Sequence, residues 1–236
     1  MRSDVSIAIL SAVEPPLPDC LAAVEAQEGG PYRVMCIKDV FPMSAAFNEM
    51  IRQWQMVAGT AADQHGWHRH PAPSKYVVQV GGDMILNPWA VRRLYEAIRK
   101  PWWCYMAWGQ LFEAGFGPGG SVRIWRRCPV RLIRFRDRRC VDRDLHNRLS
   151  LLGMQRVQAD AGEPFGTHYP RQTPFARFSK AKGDALKWIH LGRTDMHEAF
   201  RERVNDSSLA RTYPERLGLY AASISSTGDR SKNLQE

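Results

Sequence analysis

The sequence predicts an α/β protein built on a right-handed, doubly wound parallel sheet, and three observations carry this. Val5-Ser-Ile-Ala-Ile-Leu10 is a short, nearly continuous apolar run, the pattern of a strand buried on both faces. Strand-like and helix-like segments then alternate as far as residue 80, which calls for crossover connections between parallel strands. The third strand-like run, Lys75-Tyr-Val-Val-Gln-Val80, leads directly into Gly81-Gly82-Asp83. A carboxylate is thereby delivered at a strand end, the edge where open α/β sheets bind ligands. Taken alone, that turn is as well explained by two glycines and a helix-capping aspartate.

The first strand is followed by the proline-rich Glu14-Pro-Pro-Leu-Pro18. Asp19 then stands as the cap of a helix whose Leu21, Val24, Ala22 and Ala26 face the sheet, until Gly29-Gly30 ends it. Arg33–Lys38 makes the second strand and closes on Asp39, and Ala45–Ile51 has helical spacing. Residues 59–74 hold Gly, Ala, Asp, Pro and the histidines His65, His68 and His70 with no apolar period. They read as an exposed loop, because no cysteine or carboxylate partner has zinc-site spacing. Pro88–Arg99 reads as a helix capped by Asn87, with proline at its first position and an inward stripe of Val91, Leu94, Tyr95 and Ile98.

The segment containing Trp102, Trp103, Tyr105, Trp108, Phe112 and Phe116 precedes the glycine-rich stretch Gly115–Gly120. It fits a core strand and loop, or an aromatic platform for an acceptor. Between Arg123 and Arg148, Arg126-Arg127, Arg131, Arg134, Arg136 and Arg138-Arg139 alternate with Ile124, Trp125, Val130, Leu132, Ile133 and Phe135. The arginines are expected at exposed positions beside buried ones, as a solvated face or a phosphate contact. From about Ser223 the chain is polar, so a single domain over residues 1–222 and a tail over 223–236 are expected.

Composition limits the functional classes. With 236 residues, 44% hydrophobic and 24% charged, the chain can bury a sizeable core and disorder throughout is excluded. Lys and Arg number 33 against 24 Asp and Glu, a net charge of +9, which favours anionic partners. The five cysteines, Cys20, Cys36, Cys104, Cys128 and Cys140, are odd in number and show neither CxxC nor zinc spacing, pointing to free thiols in a reducing compartment. No signal segment opens the chain, and no run approaches the roughly 18–20 apolar residues of a membrane span. A cytoplasmic location is expected, with peripheral attachment to the inner face of the membrane as a variant of it.

The order of these features resembles the nucleotide-sugar glycosyltransferases of the GT-A fold, most closely their family 2, over residues 3–170. That family carries a turn of the form Asp-x-Asp-Asp-x-Leu-x-Pro after its third strand. Gly81-Gly82-Asp83-Met84-Ile85-Leu86-Asn87-Pro88 matches it, with Gly81 in place of the first aspartate. A Glu-Asp-x-Asp-Leu stretch opens a later helix of the family, and Val141-Asp142-Arg143-Asp144-Leu145 matches with valine for glutamate. Gly166-Thr167-His168-Tyr169-Pro170 stands where many members place a histidine that completes the metal site.

The resemblance implies a Rossmann-like mixed sheet, mostly parallel and flanked by helices, and a metal-dependent, inverting sugar transfer. The donor would be a nucleoside diphosphate sugar and the acceptor a saccharide or lipid-linked hydroxyl. Asp83 and His168 would hold Mn²⁺ or Mg²⁺, and Ser11, Asp39, Asn48 and Gly82 would bind the nucleotide. Asp142 would be the general base, with Asp144 the competing choice, and both also suit the capping of their helix. Arg171, Arg177, Lys180 and Lys182 would clamp the diphosphate or form a solvated basic segment. The departures at Gly81 and Val141 also suit a nucleotide-sugar or glycan binding protein with weakened catalysis. Nucleic acid is not expected as a partner, since no helix-turn-helix, zinc finger or RNP motif accompanies the arginines.

Overall fold

The computed structural model describes residues 4–11, 17–56, 74–114, 117–130, 132–138 and 141–169, with scattered positions between 178 and 198. The first apolar run forms β1 (Val5–Ser11), followed by α1 (Leu17–Glu25), β2 (Arg33–Lys38), α2 (Met43–Met56) and β3 (Tyr76–Gly81). Next come the short β4 (Met84–Leu86), α3 (Ala90–Arg99) and a long pair, β5 (Cys104–Glu113) and β6 (Gly117–Arg126). A single turn, α4 (Arg127–Val130), leads towards α5 (Val141–Ser150), β7 (Gln155–Gln158) and β8 (Gly166–His168).

These strands form one sheet in the order β2-β1-β3-β6-β5-β8-β4, with β7 paired to β5. Strand β1 runs parallel to β2 and β3, and β5 runs parallel to β7 and β8. Strand β6 is antiparallel to both neighbours, as β4 is to β8. The sheet is therefore mixed, less parallel than the alternation of elements suggests. The cause is local: β5 and β6 are joined by a short connection, which permits only antiparallel pairing, and β6 then inserts beside β3.

Strand β1 is buried on both faces, as its composition requires. Val5, Ile7 and Ile9 pack with Val78, Val122, Ile124 and the α3 residues Val91, Leu94 and Ile98. Ala8, on the other face, joins Val77, Trp125, the α2 residues Phe47, Met50 and Trp54, and Leu145 and Leu149 of α5. Helices thus cover both faces of an α/β sheet.

Several local readings shift. Helix α1 begins at Leu17, so Asp19 lies inside its first turn rather than ahead of it. Cys20 and Val24 are buried and Leu21 packs half-buried against the same core, while Ala22 and Ala26 are exposed. Asn87 does not cap α3 with its side chain, which donates to Pro164 O at 2.8 Å. Instead, Gln27 just beyond α1 accepts from Val91 N at 3.1 Å and donates to Asn87 O at 2.8 Å. Helix α3 begins at Ala90 with Trp89 at the cap position, so Pro88 lies ahead of it rather than at its first position, and a tertiary contact satisfies one of its first N–H groups. Leu132, expected inside, is 73% exposed.

The chain divides into two compact units, Met1–Pro170 and Arg171–Glu236. The expected limit at 222, the polar tail and the histidine loop holding His65, His68 and His70 lie outside the described residues, as do Arg171, Arg177 and Lys180.

Candidate functional site

The carboxyl ends of β2, β1 and β3 are joined by backbone hydrogen bonds that gather three of the predicted nucleotide-binding positions. Asp39 N donates to Ser11 O at 3.0 Å, and Gly82 N donates to Leu10 O at 2.9 Å. Asp39 is exposed and takes a left-handed conformation, φ 56°, which Asp tolerates better than most side chains. Ser11 and Gly82 are buried beside it. Helix α1 starts close by, since Cys20 Sγ lies 3.5 Å from Gly81 O.

Asp83 and His168 meet although 85 residues separate them: His168 Nε2 and Asp83 Oδ2 are 2.9 Å apart. The backbone explains the encounter. Strand β8 lies between β4 and β5, with His168 opposite Met84 on one side and Glu113 on the other. Tyr169 N donates to Asp83 O at 2.7 Å, and Ala114 N donates to His168 O at 2.9 Å, so the chain is pinned on both flanks.

Glu113, buried at the end of β5, places Oε1 3.7 Å from His168 Nδ1. The imidazole is thus bracketed by two carboxylates. His168 Nδ1 is buried with no hydrogen-bond partner among the described residues. Two glycines of β6 leave room for this arrangement. A Cβ on Gly119 would stand 2.8 Å from Glu113 Oε2, and one on Gly120, at φ +69°, would stand 3.6 Å from His168 Nδ1. Sequence reasoning missed Glu113. Its signal was the one that marked Asp83, an acid closing a strand, and it is the sole acidic residue between Glu96 and Asp137.

One carboxylate oxygen and one imidazole nitrogen stand at a partly open position, with Asp83 21% and His168 17% exposed in their side chains; the carboxylate suits Mg²⁺ or Mn²⁺, the imidazole a transition metal. No group of three His, Cys, Asp or Glu residues arranged for a metal occurs among the described residues. Asp83 and His168 could supply at most two ligands, and the rest of a coordination shell would have to come from substrate phosphates and water. Glu113 would orient the ring from its other nitrogen, as carboxylates do for ligating histidines.

Asp142 and Asp144 both lie in the first turn of α5, inside the helix rather than at its cap position. Asp142 Oδ2 accepts from Arg123 Nη2 at 2.8 Å. Arg123 sits opposite Gln79, the last β3 residue paired with β6, four positions before Asp83. Asp144 is bound along its own helix to Arg148, at 2.8 Å. Asn48 is held elsewhere: its Nδ2 donates to Phe135 O and its Oδ1 accepts from Phe135 N, both at 2.9 Å. That two-point contact fixes the chain after α4 against α2.

The arginine-rich stretch is divided in role. Arg126 donates to Cys104 O, Pro101 O and Ile98 O, and Arg148 Nη2 donates to Arg134 O at 2.7 Å. Arg134, Arg136 and Arg138 are exposed.

A second polar pair, Tyr105 and His146, joins β5 to α5, with the Tyr105 hydroxyl 2.7 Å from His146 Nδ1. Burial pushes the Tyr105 pKa up to about 12, so the phenol stays protonated and is the donor. Burial, helped by Arg156 and Arg143 and opposed by Asp142, lowers the His146 pKa from 6.5. Folding therefore favours the neutral ring. The stability tied to it is complete above about pH 6.5 and is lost as pH falls through the lowered folded value. The variant His146→Gln is expected to show a shallower loss of Tm than the parent on acidification below that pH. Parallel Tm curves for the two proteins would refute the assignment.

No protein-family model matches the chain, and neither does any curated protein sequence. Among the described residues no helix is long and apolar enough to cross a membrane.

Proposed function

We propose that the protein is a metal-dependent, inverting glycosyltransferase of GT-A type, moving a sugar from a nucleoside diphosphate to a hydroxyl acceptor. The observation that supports this most is the Asp83–His168 contact at the turn after β3, beside the strand ends that carry Ser11, Asp39 and Gly82. In this reading Asp39 accepts from the base or ribose, and the Gly82 backbone allows close approach of the phosphates. Asp83 and His168 would hold Mn²⁺ or Mg²⁺, with Glu113 orienting the ring from its other nitrogen. The cation would neutralise the diphosphate and the charge developing on the leaving oxygen.

Asp142 takes the proton of the acceptor hydroxyl as that oxygen forms its bond to the anomeric carbon and the bond to phosphate breaks on the opposite face. Arg123 holds the Asp142 carboxylate in place at 2.8 Å, and Asp144 is the alternative base. The acceptor is a saccharide or a lipid-linked hydroxyl, and the cytoplasm is the compartment that free thiols and nucleotide sugars favour.

A second reading, a nucleotide-sugar or glycan binding protein with weakened catalysis, rests on Gly81 and on the engagement of Asp142 with Arg123. Mixing the protein with a panel of nucleotide sugars and Mn²⁺ separates the two. Transfer or hydrolysis with at least one donor, and a Tm raised by UDP or GDP only when Mn²⁺ is present, is the expected result. A nucleotide-induced shift without turnover, unaffected by Asp142→Asn, would select the binding protein. Silence in both assays would remove both.

A further inference from the structure

Two adjacent turns at the opposite end of the sheet from Asp83 and His168 expose large apolar side chains. Strands β3 and β5 run in the same direction, both antiparallel to β6. Asp83 and Glu113 lie at their carboxyl ends, and Trp102 and Trp103 immediately precede the amino end of β5. These tryptophans are 78% and 43% exposed and pack edge to face, with centroids 5.8 Å apart. Leu151 and Leu152, 86% and 68% exposed, stand in the turn before β7. Strands β5 and β7 are parallel with Cys104 opposite Gln155, and Gln155 N donates to Trp103 O at 3.2 Å. The two turns are therefore side by side. Such a grouping differs from the singly scattered apolar residues of an ordinary surface.

Cations frame this end. Arg99 and Lys100 close α3 just before the tryptophans, and Arg156 follows on β7; all three are exposed. A cavity of about 330 Å³ lined by Lys75, Tyr76, Arg126, Arg127 and Cys128 opens at the same end of the sheet. Arg126 connects it to the tryptophan turn by donating to Pro101 O at 3.0 Å. Lys75 pairs with Asp4 at 3.3 Å.

We propose that this end of the molecule docks on an anionic lipid bilayer. Trp102, Trp103, Leu151 and Leu152 enter the interfacial region, and the exposed Arg99, Lys100 and Arg156 at its rim meet the headgroup phosphates. Tryptophan prefers the headgroup level because its ring is apolar and its N–H is not. Leucines on projecting turns reach the acyl boundary, and cations at the rim are drawn to anionic lipid. Apolar insertion and a basic patch together meet the requirement that stable peripheral attachment combine two signals. A second copy of the chain fits less well, since a two-fold contact through this patch would bring its own cations together. Docking in this way directs Asp83 and His168 away from the lipid, and it holds whether or not that site transfers sugar.

Sedimentation of the full chain with vesicles tests this, comparing phosphatidylcholine alone with phosphatidylcholine mixed with phosphatidylglycerol. Binding to the mixed vesicles only, weakened by salt, is expected. Trp102→Ser/Trp103→Ser and Leu151→Ser/Leu152→Ser should each weaken it about tenfold or more with unchanged Tm, and Lys100→Glu/Arg156→Glu should do the same at low salt. If one pair disturbs folding, the other two decide. Absence of binding at low salt, or binding unaffected by the tryptophan and leucine pairs, overturns the proposal. So does a lipid-free dimer that those substitutions split, or capture by polyglutamate without vesicle binding, which would assign the surface to an acidic polypeptide.

Discussion

Asp83→Asn is expected to lower sugar transfer by about 10²–10³-fold, the loss typical of removing one charge-stabilising group from a reaction centre. The substitution keeps the shape of the side chain and a hydrogen-bonding partner for His168 Nε2, now 2.9 Å from Asp83 Oδ2. Folding should hold, and Tm without ligands should stay close to that of the parent. What disappears is the negative oxygen donor, so the rise of Tm with Mn²⁺ plus UDP or GDP should vanish with the activity. Retention of both the rate and the Mn²⁺ response by the Asp83→Asn protein would remove Asp83 from the site.

Gly81 sharpens the same point. A Cβ built there would lie 2.6 Å from Asp83 Oδ1 and 3.2 Å from Met84 Cε. Both atoms are the far ends of flexible side chains, so a side chain at 81 would displace the Asp83 carboxylate by rotation rather than clash with backbone. Asp83 is the one acidic side chain that the Gly81-Gly82-Asp83 turn presents.

Gly166→Ala should produce the largest loss of stability. Strand β8 passes so close to β4 that a Cβ on residue 166 would stand 2.3 Å from Ile85 O and 2.7 Å from Leu86 Cα. Both obstacles are backbone, so a rotamer change relieves neither. A cost of about 1–3 kcal/mol is expected for overpacking at such a position, which for a chain of this size corresponds to a fall in Tm of about 2–12 °C. Because β8 carries His168 between Met84 and Glu113, displacement of the strand should also weaken the metal-dependent response. Gly183→Ala is the control, since a Cβ there meets nothing within 4 Å. Equal thermal stability of the two variants would contradict the close approach of β8 to β4.

Much of the α/β core was legible because its signals are local. Val5–Leu10 was readable as a doubly buried strand from its continuous apolar composition, and the structure packs it between α3 on one face and α2 with α5 on the other. Arg33–Lys38 and the turn at Gly81–Asp83 were equally plain, since β-favouring residues stop at a polar or glycine residue. Caps were less readable. Asn87 had the right chemistry for α3, yet Gln27, more than 60 positions away, supplied the bond to Val91 N. Local preference yields when a buried side chain from another element reaches the same donor.

By itself the sequence determined the first three strands and the helices between them, the acids Asp39 and Asp83 that follow two of those strands and the basic balance of the chain, because periodicity and residue type act over short distances. Only the tertiary structure decided that the sheet is mixed, since the insertion of β6 between β3 and β5 is a matter of long-range pairing. It alone placed Glu113 beside His168, committed Asn48 to Phe135 and joined the Trp102–Trp103 turn to that of Leu151–Leu152. Each of those juxtapositions depends on which strands become neighbours, a global outcome of burying two apolar faces at once that no short window of sequence contains.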